Sequence, residues 1–155
     1  MDAQKFLETW DIHHRLNLYL LDAIAPAHLQ DTVAAKGRSV GEQFAHLHNV
    51  RLMRLKSAAL ELLDKLQSFE KEDAGNKKLL RQTLSDSSAT IKKLLEKSLA
   101  GDGKIKGFKP HVVAFLGYLI AHESHRRGQL ILALKQSQHL PDKKNLYGLW
   151  EWGVR

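Results

Sequence analysis

The stretch Ser39-Val40-Gly41-Glu42-Gln43-Phe44-Ala45-His46-Leu47-His48-Asn49-Val50 decides the fold class. It opens as a capping box: the Ser39 hydroxyl accepts from the Glu42 amide, and the Glu42 carboxylate reaches back to the Ser39 amide. Two donors that every helix start leaves orphaned are satisfied together. Behind the cap, Leu47, Val50, Met53 and Leu60 recur at helical spacing, which predicts a helix from Ser39 to about Phe69.

Working outward, the same period appears on both sides. Phe6, Trp10, His13, Asn17, Leu20, Leu21 and Ile24 recur at intervals of three and four and stop before Pro26. After a turn at Asp73-Ala74-Gly75-Asn76, a third stripe runs through Leu80, Leu84, Ile91, Leu95 and Leu99 to Gly101-Asp102-Gly103, where glycines end a helix at little cost. A loop from Lys104 to Lys109 leads to Pro110, well suited to a first helical turn. A fourth helix is expected from about His111 to Ser137, with Val112, Phe115, Leu116, Leu119, Ala133 and Leu134 as its apolar stripe. Pro26, Pro110 and Pro141 are the only prolines, so long stretches are free of helix breakers. The tail from Asp142 to Arg155 carries Tyr147, Trp150 and Trp152, apolar enough to dock back on the helices. Helices of this length, roughly 30–40 Å at about 1.5 Å per residue, bury a single stripe only by packing together. The prediction is an all-α four-helix bundle, one domain over residues 1–155.

Composition narrows the setting. With 43% apolar and 26% charged residues in 155, the chain can bury a core. It has no cysteine, which excludes disulfides, thiolate metal ligands and a cysteine nucleophile, and suits a reducing compartment. The opening residues lack the basic start and apolar run of a leader, and no stretch has the roughly 18 apolar residues of a membrane span, so a soluble cytoplasmic protein is expected. The net charge is +7. Lys77, Lys78, Arg81, Lys92, Lys93 and Lys97 are interrupted by Asp86 and Glu96, which reads as a solvated helix face. Nucleic-acid binding is disfavoured, because the basic faces lack interleaved aromatics and any recognised motif.

Nine histidines in a cysteine-free chain raise the question of a metal. His28, His111 and His139 fall in loops or at helix ends and read as surface residues. His46 lies four before Val50 and seven before Met53, so it points with the apolar stripe into the bundle, while His48 turns about 200° away. His122 continues the stripe of Phe115 and Leu119. His125 lies three residues on, about 60° to one side, and Arg126 four on, about 40° to the other. Neutral imidazoles on facing helices can converge on a divalent cation; equally, they can be interior histidines satisfied by hydrogen bonds.

Three strings carry a family resemblance. Arg38-Ser39-Val40-Gly41-Glu42-Gln43-Phe44-Ala45-His46-Leu47 is similar to the opening of helix two in the DinB-like (YfiT-like) family. His122-Glu123-Ser124-His125-Arg126-Arg127-Gly128-Gln129 resembles that family's string in helix four, and Leu146-Tyr147-Gly148-Leu149-Trp150-Glu151-Trp152 resembles its common ending. The resemblance implies an up-down-down-up bundle, often a homodimer, acting on small molecules as a metal-dependent hydrolase or thiol-linked transferase. It also implies zinc or nickel held by three histidines, one from helix two and two from helix four, spaced by four.

Carried over by position, His46 and His122 match two of those ligands. Where the third belongs, the chain has Arg126, whose fixed positive charge cannot ligate a cation. Two readings follow. Either His125 serves as the third ligand, with Glu123 orienting a ligand from behind and His13 and Asn17 lining the pocket, or the chain is a metal-free bundle that binds a small anion at Arg126, His46 and His122.

Overall fold

Four long helices start by one device, a side chain that accepts from amides left free in the first turn. Asp2 accepts from Gln4 and Lys5 at the head of α1 (Ala3–Asp22). Ser39 and Glu42 form the complete capping box of α2 (Val40–Ala58). Asn76 accepts from Leu79 before α3 (Lys77–Ala100), and His111 accepts from Ala114 before α4 (Val112–Gln136). A short α5 (Lys143–Gly148) follows. The structure, a computed structural model, describes residues 2–33 and 37–155.

Two expected boundaries are corrected. α2 stops at Ala58, not near Phe69. Asn49 accounts for the difference: its side chain accepts from the Phe69 amide at 2.7 Å and donates to the Phe69 carbonyl at 3.1 Å, folding the 59–76 segment back along α2. Met53 and Leu60, expected on the buried stripe, are 54% and 63% exposed. Pro110 does not open α4. It lies in β2 (Phe108–His111), which pairs antiparallel with β1 (Lys104–Ile105) in a small hairpin between α3 and α4.

Side-chain contacts give the helix directions. His48 and Arg51 of α2 bond the Thr83 and Leu84 carbonyls and Ser87 of α3, so α2 and α3 run parallel. Gln43 reaches Gln129 and Arg54 reaches Tyr118, so α4 runs opposite to α2. Asp11 with Lys92 and Asp22 with Arg81 set α1 against α3, while His13 with Glu123 and Asn17 with Arg127 set it along α4. The order is up-down-down-up. A parallel α2–α3 pair needs a connection as long as the helix, and the folded-back 59–76 segment provides it.

The interior has two apolar halves. Leu20, Ile24, Phe44, Leu47, Leu84, Leu130 and Leu134 belong to one. Trp10, Leu55, Ile91, Leu95, Phe115 and Leu119 belong to the other. Between them lies a polar layer of His13, Asn17, Arg51, Ser87, Glu123 and Arg127, all buried. The C-terminal tail docks in part: Gly148 is buried and Arg155 stacks 4.0 Å from the Tyr19 ring centroid, but Tyr147 and Trp150 are 69% and 81% exposed. No described helix is long and apolar enough to cross a membrane.

Candidate functional site

His46 on α2 and His122 on α4 face each other with ring centroids 5.5 Å apart. Both are half-buried. Cations surround them. Burial, then Arg38, Arg126 and His122, push the His46 imidazole down to about 4. Burial, then Arg126, likewise lowers His122, with Glu123 opposing and His125 and Arg54 adding. No acid is among the groups that shift His46. At neutral pH both rings are therefore neutral, set in a positive field made by guanidinium groups that stay charged.

Several enclosed nitrogens in this region have no hydrogen-bond partner. The Nε atoms of Arg54 and Arg126 and the Nδ1 atom of His122 are enclosed without a partner among the described residues. Arg126 spends one Nη1 bond on Gln129 Oε1 at 2.9 Å, and Arg54 lies 4.5 Å over the Tyr118 ring. Tyr118 in turn stacks on His122 at 6.3 Å. His46 also lines a cavity of about 180 Å³ together with Arg38, Asn49, Phe69 and Lys71. Its one acid, Glu42, already accepts from Ser39 at 2.6 Å and pairs with Lys71 at 3.4 Å.

The other expected site residues lie elsewhere. His125 is exposed and does not join the pair. His13 and Asn17 do not line a pocket with His46; they are fully enclosed in the polar layer. Glu123 orients neither His46 nor His122. Its Oε2 accepts from His13 Nε2 at 2.8 Å, Asn17 at 2.7 Å and Arg51 Nη2 at 2.8 Å, and its Oε1 accepts from Arg51 Nε at 2.7 Å. Burial alone would raise this carboxyl, but the Arg51 charge and the His13 bond outweigh it and hold it well below the usual carboxylate range. His13 Nδ1 faces the Arg127 guanidinium at 3.4 Å, so the ring is the neutral tautomer that accepts there and donates to Glu123. Burial lowers its pKa, against the pull of Glu123.

The donor set does not fit a divalent cation. Among the described residues no three histidine, aspartate or glutamate side chains are grouped to hold one. Two imidazoles are present, but the position one turn beyond His122 carries a guanidinium, which repels a cation.

Arg51 was not among the expected site residues, and His48 was expected to turn away from the bundle interior. Arg51 is fully buried between Glu123, the Leu84 carbonyl and the Trp10 ring, whose centroid is 5.0 Å away. Its signal was present: it sits four after Leu47 and four before Leu55, on the buried stripe. His48, expected to point away from the core, is 1% exposed. Its ring nitrogens lie 3.0 and 2.8 Å from the Thr83 and Gln67 carbonyls, tying α3 and the 59–76 segment to α2.

Residues 1–150 match the DinB family, over nearly the whole chain. Comparison with curated proteins and with solved structures returned no match. The chain belongs to the DinB family.

Proposed function

We propose that this member of the DinB family is a metal-free bundle that binds a small anion beside His46, rather than a metal-dependent hydrolase or transferase. The observation that carries the reading is the set of fixed charges around His46: burial first, then the Arg38 and Arg126 guanidinium groups, lower its pKa, and no acid offsets them. A dication entering this field meets repulsion, whereas an anion meets attraction from fixed guanidinium charges. The cavity of about 180 Å³ next to His46 suits a phosphate- or carboxylate-sized group. Arg38 and Lys71 line it, and the neutral imidazole can donate one hydrogen bond.

Binding also has a proton sign. An anion beside His46 stabilises its imidazolium and raises its pKa, so binding takes up a proton and strengthens as pH falls.

Calorimetric titration of the wild-type chain with inorganic phosphate, and separately with zinc in phosphate-free buffer, tests the reading. The expected result is phosphate binding that weakens at least tenfold in Arg126→Gln and strengthens between pH 5.5 and pH 4.5, where phosphate stays a monoanion and His46 begins to take up a proton. Zinc should bind weakly by comparison. Tight zinc binding by the wild type, or phosphate binding indifferent to Arg126 and to pH, overturns it.

A further inference from the structure

The flank of α4 that turns away from His122 carries Arg127, Gly128 and Ile131, and these face Leu149, Trp150 and Trp152 of the tail across a cavity of about 380 Å³. The cavity is separate from His46, and three observations about it converge.

The first is charge. The buried polar layer holds two guanidinium groups, Arg51 and Arg127, against one carboxylate, Glu123. His13 is neutral, so the hydrogen-bonded cluster carries one positive charge too many. A buried charge without a counter-ion is costly, and an anion is the natural complement.

The second is the donor inventory of Arg127. Its Nη1 serves Asn17 Oδ1 and His13 Nδ1, and its Nη2 donates to Ser124 at 2.9 Å. Of the five N–H groups of a guanidinium, that leaves Nε–H and one on Nη2 without a partner among the described residues. Arg127 is also one of the residues that border the cavity.

The third is Gly128. Glycine in a helix interior is destabilising relative to alanine, and it is commonly explained by a close approach of backbone. Here nothing lies within 4 Å of where a Cβ would stand. A side chain there would extend into open space on the border of the cavity. Opposite it, Trp150 is 81% exposed although Arg155, stacked on Tyr19, pins the tail.

We propose that this cavity binds a small aryl or alkyl carboxylate. Its carboxylate pairs with Arg127, whose planar donors match that group, and its apolar body lies between Ile131, Leu149 and the two indoles. The proposal does not depend on the His46 site.

The test uses 4-phenylbutyrate and its uncharged analogue 4-phenylbutyramide, followed by calorimetry and by tryptophan fluorescence. The acid should bind at least tenfold more tightly than the amide. Arg127→Gln, which keeps a donor for Asn17, should erase that preference. Gly128→Leu should fill the cavity and abolish binding of both compounds, with an unchanged or higher urea midpoint. This variant keeps the test decisive even if Arg127→Gln fails to fold. It should also leave phosphate binding at His46 intact, which separates the two sites. No binding of phenylbutyrate at millimolar concentration, equal binding of acid and amide, or binding retained in Gly128→Leu overturns the proposal. So does self-association that Gly128→Leu removes while phenylbutyrate has no effect, because the cavity would then be an interface between copies of the chain.

Discussion

Arg51 and Glu123 meet side-on in the middle of the bundle, Nε to Oε1 at 2.7 Å and Nη2 to Oε2 at 2.8 Å, with both side chains almost wholly shielded from solvent. This bidentate pair joins α2 to α4, and through His13 and Asn17 it extends to α1. It occupies the layer where the two apolar halves would otherwise touch.

Removing one member of such a pair strands the other charge. Glu123→Leu leaves Arg51 and Arg127 buried without an acid and should cost about 3–5 kcal/mol in urea unfolding. The double variant Arg51→Met, Glu123→Leu removes the stranded pair and should recover part of that loss. Additive single effects in the double-mutant cycle would show that the pair is not a coupled unit.

Acid should destabilise the protein through its enclosed histidines. Burial pushes His14 down to about 3, and burial with the nearby cations pushes His46 down to about 4, from an ordinary value of 6.5. Burial also lowers His13, His48 and His122. Between those values and 6.5 the unfolded chain binds protons that the folded chain refuses, so stability rises with pH through that window. It levels off above about pH 6.5. Glu123, held low when folded, acts in the same direction at more acid pH. Urea midpoints measured from pH 4 to pH 8 should climb and then flatten; a maximum near pH 5 would contradict the assignment of neutral buried imidazoles.

Arg126→His removes one repulsive charge and adds one nitrogen one turn beyond His122. Zinc or nickel affinity should increase at least tenfold, about 1.4 kcal/mol, in calorimetric titrations of both proteins at one pH. An unchanged affinity would mean that His46 and His122 cannot converge on an ion even with a third imidazole available.

At Gly41 the 59–76 segment comes close to the backbone of α2. A Cβ there would stand 2.0 Å from the Ala74 carbonyl oxygen. The neighbour is backbone, so it cannot swing aside, and Gly41→Ala should cost about 1–3 kcal/mol despite alanine's better helix propensity. Gly128→Ala, which meets nothing within 4 Å, is the control and should be neutral or stabilising. Equal effects of the two substitutions on the thermal midpoint would refute the close approach.

Local structure was legible in the sequence. Helix starts at Ser39 and Asn76 depend on a side chain meeting an amide three residues away, so the residues that encode them are adjacent in the chain. Four apolar periods then require a bundle, because no single stripe can be buried alone. The family strings carry His46 and His122 on helices that face each other.

The rest depends on how the helices pack. The helix α2 ends at Ala58 and Asn49 holds Phe69, 20 residues on, although the sequence between them is apolar enough to read either way. Arg51 shares its stripe with Leu47 and Leu55, yet its burial depends on an acid 72 residues distant. The same acid draws in His13 and Asn17, which leaves Glu123 no freedom to serve His46 or His122. Burial of a charge is a property of the pair, and the partner is chosen by how the helices are rotated when they pack, which no local pattern records.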